Sequence, residues 1–334
     1  MEKKIYKVAL VGCGAIAQNH LAAIALLNHV KVVALCDKIR SKAEALCERF
    51  TLSAKIYENF DELLEKEELD AVHIATPHFL HAPMAIKALE RGINVFLEKP
   101  MCISRAEIDA LIDAERRSSG RVCVCFQNRF NETTLLAKKI MREDAGPLSA
   151  YGTVIWERDE NYYTSTDWRG RLATEGGGVL INQAIHTLDM ITFILGKPKY
   201  VWATTANHHL KDKIEVEDSS EGLIEFESGK RANFFATTSF KFMNKTTVYI
   251  KTKNHEIEIL GNEIFIDKEK QTPESSGFTQ IGKECYGTGH YTIVRKFYEA
   301  LESGERMPVT LQEAQWAVRI LLAAYKSNDE KTEV

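Results

Sequence analysis

Residues 5–17 read Ile-Tyr-Lys-Val-Ala-Leu-Val-Gly-Cys-Gly-Ala-Ile-Ala, and this stretch decides the fold of the first half of the chain. The apolar, β-branched residues before the first glycine predict a buried strand, and the pattern over 15–27 predicts a helix. A glycine-rich turn between a strand and a helix is the context that a dinucleotide-binding fingerprint requires. Gly12 would permit the tight turn, Gly14 would let the backbone approach a pyrophosphate, and Ala17 still allows close packing of helix on strand.

The same turn predicts where a dinucleotide would be held. Its pyrophosphate would lie at the helix N-terminus, where unpaired N–H groups attract anions. The predicted contacts of the turn are Gly12, Gly14, Ala15 and Ile16. Asp37 ends the second predicted strand, where a carboxylate can hold both ribose hydroxyls and repel a 2′-phosphate. NAD is therefore favoured, although Lys38 and Arg40 nearby leave NADP open. A methyltransferase that uses S-adenosylmethionine is the main alternative for such a turn.

Length and composition limit the class of protein. A chain of 334 residues has room for two domains. Lys plus Arg number 43 and Asp plus Glu 47, a net charge of −4, which argues against a nucleic-acid-binding surface. Seven cysteines without a C-x-x-C pair favour a reducing cytoplasm, and no apolar run approaches the length of a membrane span. We expect a soluble cytoplasmic protein with a small-molecule substrate.

Strand and helix patterns alternate through the first 126 residues. Strands are predicted at 5–11, 32–36, 71–75, 94–97 and 122–126, and helices at 15–27, 41–50, 60–66, 83–91 and 104–118. Apolar strands that alternate with helices indicate a parallel sheet covered on both faces. The fold class is therefore α/β, with an N-terminal doubly wound Rossmann domain predicted over residues 1–127.

After residue 128 the pattern changes to α+β with a large, open, mostly antiparallel sheet. Helices are predicted at 133–142, 179–195, 290–302 and 311–326, and strands at 149–156, 201–207, 222–227, 230–239, 246–251, 256–259 and 263–266. Turns at 227–230 and 260–263 are typical of hairpins. Residues 128–334 are thus predicted as a substrate-binding and oligomerisation domain, whose last helices can pack back on the first. The tail 328–334 is too polar for us to expect order.

Glu98-Lys99-Pro100 follows a predicted buried strand at the edge of the sheet where open α/β folds bind ligands. A lysine ammonium there can polarise a carbonyl group or donate a proton. Pro100 restricts Lys99 to an extended backbone and can hold the peptide bond cis. We therefore predict that Lys99 is catalytic, rather than an ordinary surface lysine.

The predicted helix 179–195 follows Gly176-Gly177-Gly178 and carries one polar stripe. At about 100° per residue, Asn182, His186 and Asp189 fall within about 60° of one another, opposite the apolar face. This stripe predicts a surface that faces solvent or takes part in a reaction. His186 is suited to proton transfer there. A structural histidine is the ordinary alternative. A metal site through His186 and Asp189 is disfavoured because no third ligand stands at a recognisable spacing.

These motifs together resemble the Gfo/Idh/MocA oxidoreductases, a family that includes glucose-fructose oxidoreductase and inositol dehydrogenase. The resemblance covers nearly the whole chain, with the motifs in the family's order. They are G-C-G-A-I-A at 12–17, Ala75-Thr76-Pro77 with His81, Glu98-Lys99-Pro100, Trp168-Arg169, and Gly176-Gly177-Gly178 with Asn182 and His186. The resemblance implies an NAD(P)-binding Rossmann domain and a C-terminal domain whose open sheet forms a homodimer or homotetramer interface.

The resemblance also implies roles for single residues. Lys99 would be catalytic and His186 would assist proton transfer. Many relatives carry an aspartate where this chain has Asn182, and an amide is not a general base. His186 or Lys99 would then be the base, and Asn182 would bind substrate or orient the imidazole. Further cofactor contacts are expected at Thr76, Pro77, His81, Glu98, Lys99, Trp168 and Arg169, and further substrate contacts at Gln127, Asn128 and Tyr163.

The activity that these residues predict is NAD-linked oxidation of a secondary hydroxyl on a sugar or cyclitol. His186, assisted by Lys99, would remove the hydroxyl proton. Two alternatives remain, an NAD-dependent glycoside hydrolase without net redox and a non-catalytic NAD-sensing protein. Tyr162 and His290 are weaker candidates for substrate contacts, whereas His73, His208 and His209 are expected in strands without a chemical role.

Overall fold

Strands and helices alternate along the first half of the chain, as the sequence predicts. The structure is a computed structural model that describes residues 4–241, 245–278 and 287–334. The strands are β1 (Tyr6–Val11), β2 (Val30–Cys36), β3 (Lys55–Tyr57), β4 (Ala71–Ile74), β5 (Asn94–Leu97) and β6 (Val122–Val124). The helices are α1 (Ala17–Ile24), α2 (Arg40–Phe50), α3 (Phe60–Lys66), α4 (His81–Glu90) and α5 (Arg105–Arg117).

All described strands of this first sheet are parallel, in the order β3-β2-β1-β4-β5-β6. The order reverses between β1 and β4, and ligands of open α/β sheets bind at such a switch point. The sequence pattern missed β3, because three residues at a sheet edge are too short to show periodicity. The predicted Rossmann sheet is confirmed.

A second sheet holds the remaining strands of the described residues. They are β7 (Pro147–Ile155), β8 (Pro198–Ala206), β9 (Ser219–Phe226), β10 (Arg231–Thr237), β11 (Thr247–Thr252), β12 (Glu256–Leu260), β13 (Glu263–Ile266), β14 (Glu269–Gln271) and β15 (Thr332–Glu333). Their order is β14-β13-β12-β11-β7-β10-β9-β8-β15, and β7 and β10 pair in parallel while the other pairs are antiparallel. The predicted mostly antiparallel sheet is confirmed.

The helices that accompany this sheet are α6 (Glu132–Glu143), α7 (Glu160–Thr164), α8 (Val179–Asn182), α9 (Ile185–Leu195) and, at the end of the chain, α11 (Leu311–Ser327). Apolar side chains of α6 and α9 pack with those of β11, β12 and β13 in one core cluster that includes Ala137, Met190, Val248 and Ile257. The prediction of one helix over 179–195 is wrong, because the helix is interrupted at Gln183 and Ala184, between α8 and α9.

Two further expectations are corrected by the second sheet. The tail is not without structure, because Thr332 and Glu333 of β15 pair with Val201 and Tyr200 of β8. Backbone pairing to an available sheet edge stabilises residues whose side chains are polar. The pair His208-His209 lies in the loop after β8 rather than in a strand, whereas His73 does lie in β4.

The chain forms two compact units that are not continuous in sequence. The first contains residues 1–102, 106–125 and 290–312, and so includes nearly all of helix α10 (Gly289–Ser303). The second contains residues 103–105, 126–289 and 313–334. Among the described residues, no helix has the length and apolarity that a membrane crossing needs.

Candidate active site

The glycine turn after β1 has the shape that a pyrophosphate site needs. Gly12 has φ +91°, and a Cβ built on it would lie 2.4 Å from the carbonyl oxygen of Ala75, so a side chain does not fit there. A Cβ on Gly14, by contrast, would have nothing within 4 Å, and both Gly14 and Ala15 are exposed. The turn is thus packed on its inner side and open in front of the N-terminus of α1.

Asp37 is fixed beside this turn. Its Oδ2 accepts a hydrogen bond from the backbone N of Cys13 (2.7 Å), and its Oδ1 accepts one from the backbone N of Ile39 (2.8 Å). A carboxylate has more lone pairs than these two bonds use, so it can also accept from hydroxyl groups. The observed geometry fits the ribose of a dinucleotide whose pyrophosphate lies over Gly14.

His81 connects the two loops that follow β4 and β5. Its Nδ1 lies 2.6 Å from the carbonyl oxygen of Pro100, and its Nε2 lies 2.8 Å from that of Thr76. Burial lowers the pKa of His81, although both carbonyl groups act in the opposite direction. The ring is almost inaccessible, at 1% exposure. These two contacts hold the loops in place. Thr76 and Pro77 themselves are partly exposed.

Lys99 follows β5 and is joined to Pro100 by a cis peptide bond. Its backbone N donates a hydrogen bond of 3.3 Å to Oε2 of Glu98, whose Oε1 lies 3.0 Å from Nε2 of His20. Burial alone would raise the pKa of Glu98, but the hydrogen bond from His20 and the nearby His290 and Lys99 lower it well below its ordinary value. Glu98 is thus a buried, ionised group next to the predicted catalytic lysine.

Glu98, Cys125 and His290 place one potential metal ligand each within 4.8 Å of one another. Burial raises the pKa of the Cys125 thiol and lowers that of His290 to about 4. A protonated thiol is a poor metal ligand, since the thiolate is the form that binds. Glu98 also already contacts His20 and the backbone of Lys99. The three residues therefore form a cluster of buried titratable groups whose chemistry does not favour a metal ion.

In the second unit, the glycine triplet lies in a crowded place. A Cβ on Gly177 would lie 1.9 Å from the hydroxyl oxygen of Tyr325, and one on Gly178 would lie 1.8 Å from the carbonyl oxygen of Glu217. The Glu217 carboxylate accepts hydrogen bonds from the backbone N of Gly178 and Leu180, both at 2.9 Å, and from Tyr325 at 3.1 Å. Burial raises the pKa of Glu217 to about 7. These contacts fix the start of α8.

Asn182, at the end of α8, is oriented by two acceptors. Its Nδ2 donates to Oε1 of Glu175 and to the hydroxyl oxygen of Tyr162, the latter at 3.1 Å. Glu175 is fully buried, and burial raises its pKa to about 7. Since the amide nitrogen is directed to these two groups, the amide oxygen Oδ1 lies on the opposite side of the amide. Oδ1 acts only as a hydrogen-bond acceptor.

His186 and Asp189 have different surroundings, although both lie in α9. His186 is partly exposed, and its ring meets that of Phe126 edge-on, with centroids 6.0 Å apart. Asp189 is only 1% exposed and forms two hydrogen bonds with Arg129, of 2.8 Å to Nε and 2.6 Å to Nη2. The expectation of a continuous wet stripe is therefore wrong at Asp189, which belongs to a dry ion pair.

The other predicted site residues of this unit are placed as follows. The Arg169 guanidinium lies over the rings of Tyr162 (4.4 Å) and Trp168 (5.1 Å). Tyr163 is buried in an apolar cluster with Leu210, Ile214 and Val216. Gln127 is buried, whereas Asn128 is partly exposed. The tyrosine hydroxyl that contacts Asn182 is that of Tyr162, so Tyr163 is the weaker candidate for a substrate contact.

Comparison with known proteins decides the family. Residues 6–126 match the profile of the GFO_IDH_MocA oxidoreductase family with its NAD-binding Rossmann fold, and residues 144–264 match the GFO/IDH/MocA C-terminal domain. The chain belongs to the Gfo/Idh/MocA family. The resemblance that the motifs indicated is thereby confirmed.

Three relatives with assigned activities share 25–28% sequence identity with this chain. An inositol 2-dehydrogenase of Salmonella typhimurium is 28% identical over 197 residues, which are 57% of this chain and 55% of that protein. The chain thus spans about half the length of this relative. A D-glucoside 3-dehydrogenase of Escherichia coli is 27% identical over 67% of each chain. The WlbA dehydrogenase of Bordetella pertussis, solved with NADH and UDP-GlcNAcA, has a TM-score of 0.88 at 25% identity, covering 100% of this chain and 99% of that one.

Sequence reasoning missed several residues that hold the candidate site residues of each unit in place. Glu175, Glu217 and Tyr325 were not identified as partners of the residues 176–182, and His20 was not identified as a partner of Glu98. Three consecutive glycines are consistent with a close approach of the backbone to another group, but they do not identify that group. Glu217 lies 39 positions from Gly178, His20 lies 78 positions from Glu98, and Tyr325 lies 108 positions from Glu217, so only the fold reveals these contacts.

Proposed function

We propose that this protein transfers a hydride between NAD and a secondary hydroxyl or keto group of a sugar, a cyclitol or one of their derivatives. One observation carries the proposal: the first unit has a glycine turn open in front of α1, with Asp37 fixed beside it, and a lysine at the carboxyl end of β5. The first arrangement fits a dinucleotide, and the second supplies a cation at the edge of the sheet where such folds bind ligands. The names of the relatives support this substrate class.

The chain's own residues would carry the proton and the developing charge. When bound, NAD accepts the hydride from the carbinol carbon or, as NADH, returns it. Lys99 would stabilise the negative oxygen, an electrostatic role that is often the largest contribution to catalysis. His186 would remove or return the hydroxyl proton, because imidazole is the side chain best suited to proton transfer near neutral pH. The oriented amide of Asn182 would accept a hydrogen bond from a substrate hydroxyl.

The remaining contacts stay proposals. For the cofactor they are Gly12, Gly14, Ala15, Ile16, Asp37, Thr76, Pro77, His81, Glu98, Lys99, Trp168 and Arg169. For the substrate they are Lys99, Gln127, Asn128, Tyr163, Asn182 and His186. His81 and Glu98 act on the cofactor through the loops that they hold, because both are almost completely buried.

Asp37 is the basis for preferring NAD over NADP. Replacing it with serine (Asp37→Ser) removes the charge that repels a 2′-phosphate and also removes an acceptor for the ribose hydroxyls. We expect NADH to bind about tenfold more weakly and NADPH to bind more tightly than to the wild type. Titration of both reduced cofactors by fluorescence checks this. As a control, Asp61→Ser removes an exposed carboxylate that pairs with Lys87, and it should leave both affinities unchanged. Tighter NADPH than NADH binding by the wild type would contradict the role given to Asp37.

A panel of substrates tests the proposed activity itself. Inositols, glucosides, free sugars, keto-sugars and UDP-linked sugar acids, classes suggested by the names of relatives and structural neighbours, are supplied with NAD or NADH. The expected result is a change in absorbance of the reduced nicotinamide with one class. Release of a free sugar without accumulation of NADH would favour the alternative of an NAD-dependent glycoside hydrolase. Cofactor binding with no turnover across the panel would favour a non-catalytic NAD sensor.

We further propose that the face of the second sheet that carries Tyr151 packs against another copy of the chain, as a homodimer or homotetramer. Tyr151 is 43% exposed and stacks on Tyr249, with ring centroids 4.4 Å apart. Asn233, Leu223 and Trp202 continue the same row across the paired strands. Apart from the exposed Asn233, the row consists of apolar and aromatic side chains that are at least partly exposed, which is typical of a protein interface.

A further inference from the structure

A continuous line of buried polar side chains runs through the first unit from Tyr298 to Glu98. The hydroxyl of Tyr298 lies 2.7 Å from Nε2 of His73, Nδ1 of His73 lies 3.0 Å from Nδ1 of His20, and Nε2 of His20 lies 3.0 Å from Oε1 of Glu98. Tyr298, His73 and His20 are completely buried, and Glu98 is 5% exposed. We call these four residues the Glu98 chain. They come from α10, β4, α1 and the end of β5.

Aromatic packing fixes the rings of the Glu98 chain. His73 stacks on Phe96, its neighbour in the paired strand β5, with centroids 4.7 Å apart, and Phe96 also meets His20 edge-on at 5.4 Å. Phe297 packs edge-on against His73 and Phe96 from α10. The imidazole rings therefore have little room to turn, so each ring nitrogen keeps the partner it has.

The chemistry of these groups sets the direction of the hydrogen bonds. An ionised Glu98 only accepts, so Nε2 of His20 donates to it. Burial lowers the pKa of His73 well below its ordinary value, so His73 is neutral and has one N–H and one bare nitrogen. If His73 donates from Nδ1 to His20, its Nε2 accepts from Tyr298, and every donor in the chain has an acceptor. Only Glu98 then carries a charge.

The opposite direction is less favourable. His73 would donate from Nε2 to Tyr298, and His20 would have to donate from both nitrogens, as a buried imidazolium. The hydroxyl proton of Tyr298 would then lack an acceptor, since within the described residues its hydroxyl has His73 as its hydrogen-bond partner. A buried donor without an acceptor is costly, and the first direction leaves no such donor among the four residues.

We propose that Tyr298, His73 and His20 form a one-way chain of hydrogen bonds that holds the Glu98 carboxylate in place, and that they are thereby positioning residues for Lys99. Glu98 accepts from the backbone N of Lys99 through its second oxygen, so its orientation determines that of the lysine backbone. Lys99, Cys125 and His290 are the other titratable groups around Glu98. The link to catalysis rests on the function proposed above, whereas the direction of the chain does not.

The direction is tested by nitrogen NMR of protein that carries ¹⁵N-labelled histidine, without substrate. Signals of His20 and His73 are assigned with single His→Gln variants among the 10 histidines. At pH 7 we expect His73 to be protonated at Nδ1 alone and His20 at Nε2 alone. A His20 ring that is protonated at both nitrogens would overturn the one-way chain. This experiment gives its answer whether or not the proposed enzyme activity is found.

The positioning role is tested with Tyr298→Phe, which removes one hydroxyl and keeps the ring. We expect the ¹⁵N shifts of His73 and His20 to change and kcat to fall about five-fold, as the loss of one hydrogen bond allows, with KM and NADH affinity unchanged. Tyr6→Phe is the matched control, because Tyr6 is buried and its ring lies 5.7 Å from that of Tyr298, outside the chain. It should leave shifts and kcat at wild-type values. Unchanged His20 shifts or an unchanged kcat in Tyr298→Phe would overturn the positioning role.

Discussion

Replacing Lys99 with alanine is expected to lower kcat by about a thousandfold, because the electrostatic stabilisation of the negative oxygen is lost. NADH affinity should stay within about twofold of the wild type, because backbone N–H groups at the start of α1 and the Asp37 carboxylate hold most of the cofactor in our proposal. Steady-state kinetics on the substrate found in the panel and a fluorescence titration of NADH measure the two effects separately. The combination distinguishes a catalytic lysine from one that holds the cofactor.

Two further variants complete the Lys99 experiment. Lys99→Arg keeps a cation but replaces the compact ammonium with a planar guanidinium whose size and donor geometry differ, so it should recover little activity. Lys87→Ala removes an exposed lysine of α4 that pairs with Asp61, and it should leave kcat unchanged. Wild-type turnover by Lys99→Ala on the true substrate would refute the assignment.

The Rossmann half could be predicted from sequence because its evidence is local. Val8, Ala9 and Leu10 of β1 are completely buried. An uninterrupted run of apolar residues is what a central parallel strand, covered on both faces, requires. The glycine turn and Asp37 follow from spacing along the chain. What the pattern does not contain is the partner of a polar residue that lies far away in sequence. His73 looked like an ordinary strand residue, yet both of its ring nitrogens have partners, one of them 225 residues away.

The second unit shows the same limit in another form. Helical periodicity over 179–195 predicts one face with Asn182, His186 and Asp189, but periodicity shows neither where a helix is interrupted nor what covers its face. The Glu217 carboxylate accepts from the backbone N of Gly178 and Leu180 and holds the first turn as the separate helix α8, which ends before Gln183. Arg129 covers the end of the face at Asp189. The three residues of the predicted stripe thus have three different surroundings. Asn182 is an oriented amide, His186 is partly exposed, and Asp189 belongs to a buried ion pair.

The Arg129–Asp189 pair predicts the largest effect on stability. Both groups are almost completely buried, at 4% and 1% exposure, and the guanidinium also lies 4.9 Å from the centre of the Phe193 ring. Asp189→Ala leaves that guanidinium buried without the carboxylate that accepts two of its hydrogen bonds, while the Glu313 carboxylate lies 3.8 Å away. Breaking a buried pair from one side costs about 3–5 kcal/mol, and we expect a decrease of that size in the free energy of unfolding, measured with urea.

Comparison of three variants separates the ion pair from a role of Asp189 in catalysis. The double variant Arg129→Met with Asp189→Leu should recover most of the lost stability, because apolar residues of similar size replace both charges without leaving one unpaired. Asp113→Ala breaks an exposed pair with Arg116 and should change the free energy of unfolding by less than about 1 kcal/mol. If Asp189→Ala unfolded like the wild type but lost turnover, Asp189 would belong to the reacting site after all. A stable double variant that keeps its turnover would instead show that the pair stabilises the fold and that Asp189 takes no part in the reaction.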